Sequence, residues 1–118
     1  MANDKLSEQS IDFAVHIINL VKQLKEQKES IISNQIGRSG TSIGANIREA
    51  KYAHGTADFI SKMQIALKEC YESEYWLEIM FRTKLLLPDK YNAFNNKCGA
   101  LRRMLISSIN TTKNNLDK

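Results

Sequence analysis

Apolar residues recur at helical spacing through four long stretches of the chain, and only short breaks separate these stretches. The first runs from about residue 7 to residue 27, the second from residue 30 to residue 53, and the third from residue 56 to the only proline, Pro88, which begins the fourth. Long helices with short connections pack as antiparallel neighbours. The pattern predicts an all-α fold, an antiparallel up-down-up-down four-helix bundle, with residues 1–118 as a single domain.

Residue types at the breaks indicate where the helices begin and end. Ser30 is suited to the N-cap of the second helix, and Gly55 to the position just after its C-terminus. Thr56 can cap the third helix. The core stripe of that helix is expected to continue through Phe81 and Leu85 as far as the proline.

The composition indicates the class of protein and the cellular compartment that we expect for this bundle. Apolar residues make up 42% of the 118 positions and charged residues 25%, which is typical of a globular chain with a packed core. No apolar run approaches the length that a bilayer requires, and the first residues lack the apolar stretch of a signal peptide. Two cysteines, Cys70 and Cys98, are too few for a disulfide framework and are expected as free, buried thiols. We therefore expect a cytoplasmic protein with no membrane contact.

Three glycines, Gly37, Gly40 and Gly44, lie along one side of the predicted second helix. Each glycine inside a helix is about 1 kcal/mol less favourable than alanine. Three of them need a compensating contact, and we expect another helix to approach closely along this strip.

The first stretch has two sets of apolar positions. Ile11, Val15 and Ile18 follow the helical period, and a second set widens the apolar arc to well over half of the helix circumference. The second set is Phe13, Ile17, Leu20, Val21 and Leu24. A surface helix needs an apolar stripe of only about 100°. We therefore expect this helix to be covered on two sides, which favours a homo-oligomer.

The second and third helices each carry a further row of residues beside the core row. The two rows are Gln35, Arg38, Ser42, Ala45, Glu49 and Tyr52, and Ile65, Glu69, Glu72, Trp76 and Ile79. If these helices are antiparallel about residues 54–56, Arg38 lies level with Glu72 or Ser73, and Glu49 lies level with Lys62. Because Ile65 and Trp76 make the row partly apolar, we expect a partly buried polar layer at a helix contact or a subunit interface. The alternative is a set of solvated surface ion pairs.

The chain offers no residue pattern for catalysis, a metal ion or a cofactor. A di-metal site in a bundle needs Glu-x-x-His pairs, which the only histidines, His16 and His54, do not form. Asp12 and His16 are one turn apart and could share a metal ion, but on the polar side of the helix an exposed pair is the simpler interpretation. The glycine-rich residues 37–44 lack the Gly-Lys-Ser/Thr of a phosphate-binding loop. We predict no catalytic residue, no metal and no cofactor.

Positive charge is concentrated in the last quarter of the chain, where residues 88–118 carry six basic and two acidic residues. Lys90 and Lys97 are expected at one edge of the core stripe of the fourth helix, Arg102 and Lys113 at the other, and Arg103 away from it. These five are the candidate nucleic-acid-binding residues, because an oligomer could combine several copies into a larger positive patch. The alternative is that they are solvated surface charges.

Two sequence blocks resemble a known bacterial family. The blocks are Ser39-Gly-Thr-Ser-Ile-Gly-Ala-Asn-Ile-Arg-Glu-Ala50 and Lys62-Met-Gln-Ile-Ala-Leu-Lys-Glu-Cys-Tyr-Glu-Ser-Glu-Tyr-Trp-Leu77, with Asp58-Phe59 between them. The chain resembles the four-helix-bundle family of 23S rRNA intervening-sequence proteins. The resemblance implies a left-handed bundle and a ring-like homopentamer, and a related accessory protein of diversity-generating retroelements binds nucleic acid. The motif positions occupied in this chain are Arg38, Ser42, Asn46, Glu49, Glu69 and Glu72.

Two functions remain open from the sequence. The favoured one is a non-enzymatic, homo-oligomeric bundle that serves as an accessory to RNA, DNA or a ribonucleoprotein. The alternative is a scaffold that binds another protein and makes no nucleic-acid contact. A continuous basic patch would favour the first function, and an exposed apolar patch would favour the second.

Overall fold

The computed structural model describes the backbone of residues 2–116 and the side chains of residues 5–116. The four helices are α1 (Ala2–Glu26), α2 (Ile31–Lys51), α3 (Thr56–Arg82) and α4 (Pro88–Leu116). Each helix packs against the next one along the chain, and α1 also contacts α4. The helices form an elongated bundle of 52 × 22 × 21 Å, so the predicted all-α four-helix bundle is confirmed. The left-handed turn that the resemblance implies stays a prediction.

One stripe of each helix supplies the core. The largest fully buried side chains are Phe13, Ile17, Leu24, Ile36, Ile43, Met63, Leu77, Met80, Leu101 and Leu105. Cys70 and Cys98 are buried beside them as free thiols, as the sequence predicts. Polar residues predominate on the outer sides of the helices, although several large apolar side chains are exposed there too. No described helix combines the length and the apolar character that a membrane span requires.

The glycine strip of α2 lies very close to α1. A Cβ atom on Gly40 would lie 2.9 Å from Cγ1 of Ile17, and a Cβ atom on Gly44 would lie 3.0 Å from Oγ of Ser10. Non-bonded carbon atoms normally keep about 3.5–4.0 Å. The expected close approach is therefore confirmed, and the complete burial of Ile17 is part of what offsets the low helix propensity of these glycines.

Of the three caps predicted between the helices, Ser30 is confirmed in its position, and Gly55 and Thr56 are wrong. Ser30 stands at the N-cap of α2 but makes no capping hydrogen bond through its side chain. The neighbouring Glu29 carboxylate does so instead, because its longer side chain reaches the backbone N–H groups of Ile32 at 3.1 Å and Ser33 at 2.8 Å. Gly55 is the N-cap of α3 in an extended conformation, so it does not close α2 and Thr56 is already the first helical residue.

The third helix ends earlier than the spacing predicts. Lys84 has a left-handed backbone conformation, with φ at 63°, and the N–H groups of Leu85 and Leu86 both donate to the carbonyl oxygen of Met80. This hydrogen-bonded turn closes α3 at its last residues, so Leu85 packs on the core from the connection to α4. Phe81 is exposed in part and stacks on Tyr91 of α4 with ring centroids 4.5 Å apart, so it covers the edge of the core.

Candidate interfaces for a partner subunit and nucleic acid

Arg38 of α2 is the centre of a charged cluster on the outer surface of α2 and α3. Its guanidinium group donates to the carboxylates of Glu72 and, at 3.3 Å, of Glu69, both on α3. It also donates to Oε1 of Gln35 at 3.4 Å. The predicted alignment of Arg38 with Glu72 is therefore confirmed. The Glu69 side chain is only 16% exposed, whereas that of Arg38 is 49% exposed, so the cluster is partly buried on its α3 side.

Trp76 and two serines extend this cluster into the seam between α2 and α3. Nε1 of Trp76 donates to the Glu72 carboxylate at 3.0 Å, and the indole ring is partly exposed beside the charged side chains. Beneath the cluster, the hydroxyl group of Ser73 donates to that of Ser39 at 2.9 Å, and both serines are fully buried. The seam is thus a hydrogen-bonded polar layer rather than a set of isolated surface ion pairs.

The other motif residues do not join the cluster. The hydroxyl group of Ser42 donates to the carbonyl oxygen of Arg38 at 2.6 Å, and the amide of Asn46 donates to the carbonyl oxygen of Ser42 at 2.9 Å. Glu49 pairs with Lys62 at 3.2 Å, which confirms the second predicted alignment. Both cross-helix pairs fit the antiparallel arrangement of α2 and α3. Among residues 5–116, Ser42 and Asn46 bond only to their own helix.

An apolar groove of about 650 Å³ runs along the outer surface between α1 and α2. Its α1 wall contains Ile11, Val15 and Ile18, whose exposed fractions are 41%, 51% and 46%. The α2 wall contains the small residues Thr41, Gly44 and Ala45, followed by the charged residues Arg48 and Glu49. We call Ile11, Val15 and Ile18 the α1 stripe. The sequence shows that the apolar arc of α1 is too wide for one contact, but not that this set of positions faces outward.

Cross-helix ion pairs engage two of the five predicted nucleic-acid-binding residues. Lys97 pairs with Asp12 of α1 at 2.8 Å, and this hydrogen bond holds the pKa of Asp12 below its ordinary value of 3.8. Arg102 pairs through Nε with Glu74 of α3 at 3.1 Å.

Lys90, Arg103 and Lys113 have no hydrogen-bond or ion-pair partner among the side chains of residues 5–116. Lys90 and Lys113 stand near opposite ends of α4, roughly 34 Å apart along its axis. The five cations therefore follow the length of α4, and a single subunit does not gather them into one patch.

The histidine and cysteine side chains have local structural contacts. Nδ1 of His16 donates to the carbonyl oxygen of Asp12 at 2.8 Å and lies 3.5 Å from its carboxylate. The Cys98 thiol donates to the carbonyl oxygen of Cys70 at 3.4 Å. Hydrogen bonding with Cys70 and burial raise the pKa of the Cys98 thiol, so it stays protonated at neutral pH. Within the part of the chain that the structure describes, no three His, Cys, Asp or Glu side chains are grouped to hold a metal ion.

The fold and these surfaces define a small four-helix bundle with a charged, hydrogen-bonded cluster between α2 and α3 and an exposed apolar groove between α1 and α2. The family model for the 23S rRNA-intervening sequence protein matches residues 3–107, and the chain belongs to this family. A solved structure of a protein of unknown function from the S23 ribosomal protein family of Bacteroides thetaiotaomicron is 50% identical in sequence. The match covers 93% of this chain and 99% of that one, with a TM-score of 0.91. The sequence resemblance is thereby confirmed, and no curated protein matches the chain.

Proposed function

We propose that this protein is a cytoplasmic, homo-oligomeric bundle that acts by binding, as an accessory to nucleic acid or a ribonucleoprotein, and performs no catalysis. The observation that carries the nucleic-acid part is the charge of α4. Residues 90–116 contain five cations and no aspartate or glutamate. A helix with no carboxylate over 27 consecutive positions presents no fixed negative charge of its own to a phosphate backbone.

Assembly multiplies this charge. The α1 stripe and its groove leave an apolar surface that the monomer does not cover, and burial of such a surface against a second copy is favourable at about 25 cal/mol per Å². We propose a homopentamer, the assembly that the family resemblance implies. Each cation of α4 then occurs five times, so weak contacts of single subunits combine on one nucleic acid.

Binding to nucleic acid is tested by filter binding with RNA and DNA duplexes and with single strands. We expect micromolar affinity at about 50 mM salt and a steep loss of affinity as salt rises, because neutralised phosphates release counterions. Duplexes or folded RNA are preferred, since α4 presents no row of exposed aromatic residues on which single-stranded bases could stack. The variant with both Lys90→Gln and Lys113→Gln flattens the salt dependence. Retention of no RNA or DNA at tens of micromolar protein overturns this function.

A second function, a scaffold for another protein, is favoured by the same α1 stripe if a foreign helix rather than a second copy covers it. In that case the purified protein is a monomer and binds no nucleic acid. The mass of the purified protein, measured by light scattering coupled to size-exclusion chromatography, and the filter-binding assay together separate the two functions.

A further inference from the structure

Two guanidinium groups converge at one point beside the backbone of α4. A Cβ atom on Gly99 would lie 3.3 Å from Nη1 of Arg103 and 3.5 Å from Nη2 of Arg102. Gly99 is itself buried, although its neighbours along the outer side of α4 are exposed. A methyl group at this position would be in tight contact with Nη1 of Arg103 and in ordinary van der Waals contact with Nη2 of Arg102. Two positive charges at one site repel each other, and an anion bound between them would relieve that repulsion.

Glu74 neutralises only half of this pair. Its carboxylate accepts from Nε of Arg102 at 3.1 and 3.4 Å, so the two arginines and Glu74 together retain one positive charge. The Nη atoms of Arg102 and Arg103 have no acceptor among residues 5–116. Glu74 also fixes the orientation of Arg102, which reduces the ordering that a ligand must impose. A planar guanidinium group with free Nη donors is suited to phosphate oxygens.

On either side of this point, the outer face of α4 carries no carboxylate and is rich in hydrogen-bond donors. Along the outer face of α4, two exposed asparagines precede Gly99 and three exposed polar residues follow it. They are Asn92 and Asn96, and Ser107, Asn110 and Asn114. Since α4 has no carboxylate from residue 90 to residue 116, a negatively charged polymer can follow this face in both directions from the arginine pair.

We propose that Arg102 and Arg103 hold one phosphate of a nucleic-acid backbone above Gly99, with the amide-bearing outer face of α4 along the adjacent backbone. We call this site the Gly99 clamp. The clamp rests on the proposed nucleic-acid function and names the contact that would carry it. Its chemistry is shared by a phosphodiester and by free inorganic phosphate, and the experiment includes both.

Affinity for a short RNA duplex, followed by fluorescence anisotropy, tests the clamp in the intact oligomer. Arg103→Gln should lower the affinity about tenfold, the effect of one lost charge-assisted hydrogen bond. Arg103→Lys retains the charge but not the planar donor pair, and should still lower the affinity several-fold. Gly99→Ala should weaken binding without lowering the melting temperature, because alanine is the better helix former and its methyl group displaces only the ends of flexible side chains.

Lys68→Gln is the matched control, since it removes one exposed cation from α3 that has no partner among residues 5–116. It should change the affinity less than twofold. Equal losses in Arg103→Gln and Lys68→Gln overturn the clamp and leave the nucleic-acid function intact. Unaltered affinity in Gly99→Ala also contradicts the clamp.

Two further outcomes distinguish the ligand and the function. If Arg103→Gln lowers the affinity for inorganic phosphate but leaves the affinity for the duplex unaltered, free phosphate is the ligand and the nucleic-acid assignment of the clamp is overturned. If the unaltered protein binds neither RNA nor DNA, the proposed function and the clamp fail together.

Discussion

The two long faces of α2 differ in the way they meet their neighbours. Towards α1, α2 offers glycine, and the branched side chain of Ile17 fits against Gly40 with almost no space to spare. Towards α3, α2 offers Arg38 and Ser39, which pair with carboxylates and a hydroxyl group. The first contact is specified by shape and the second by charge and hydrogen bonds. Because α1 lies so close to α2, one of the two apolar sets of α1 is enough to fill the contact. The other set, the α1 stripe, stays exposed.

The largest expected effect is on the glycine contact. Gly40→Leu should destabilise the protein by roughly 1–3 kcal/mol or more, because the Ile17 side chain occupies the space that the new side chain needs. Thermal or urea unfolding measures this change. Gly55→Ala is the control, since a Cβ atom there meets nothing within 4 Å and the backbone is extended. A higher melting temperature for Gly40→Leu would show that α1 does not lie where the structure places it.

Substitutions on the side of α2 that faces α3 should lower the stability less. Arg38→Met leaves the carboxylates of Glu69 and Glu72 without their cation, and we expect a loss of about 1–2 kcal/mol because Glu69 is mostly buried. Arg82→Met, which removes the exposed pair with Glu78, should cost at most about 0.5 kcal/mol. Urea unfolding of both variants gives the difference. Equal effects would mean that the α2–α3 layer is only a surface ion pair.

The smallest expected effect concerns Asp12, whose carboxylate joins α1 to α4 through Lys97. The pKa of Asp12 is lowered in the folded protein, so its small contribution to stability is present above the unfolded value and is lost as pH falls through the folded pKa. Lys97→Gln should raise the pKa of Asp12 towards 3.8. Carboxyl chemical shifts in an NMR titration follow this change, and an unchanged pKa in the variant would place the cause elsewhere.

Local spacing in the sequence was sufficient to predict much of this structure. The helical period defines four helices, Pro88 begins the fourth, and the distance from the α2–α3 turn aligns Arg38 with Glu72 and Glu49 with Lys62. The three glycines predict a close neighbour without identifying it. These features depend on residues that are near each other in the chain or symmetric about one turn.

Features that depend on distant partners could not be predicted in the same way. Both apolar sets of α1 have helical spacing, and only the packed bundle shows that Ile17 faces the core and Val15 does not. The pairing of Lys97 with Asp12 joins residues 85 positions apart. The convergence of Arg102 and Arg103 over Gly99 depends on side-chain torsions that no spacing rule defines. The sequence shows which charged residues α4 contains, but not which of them form ion pairs with other helices.

We propose that copies of this chain assemble through the exposed α1 stripe. Light scattering coupled to size-exclusion chromatography of the unaltered protein and of Val15→Glu tests it directly. The account predicts about five times 13.5 kDa for the unaltered protein and 13.5 kDa for the variant, with the helical circular dichroism unchanged because Val15 lies outside the core. A monomeric unaltered protein at micromolar concentration, or a variant that retains the full assembled mass, would contradict the account.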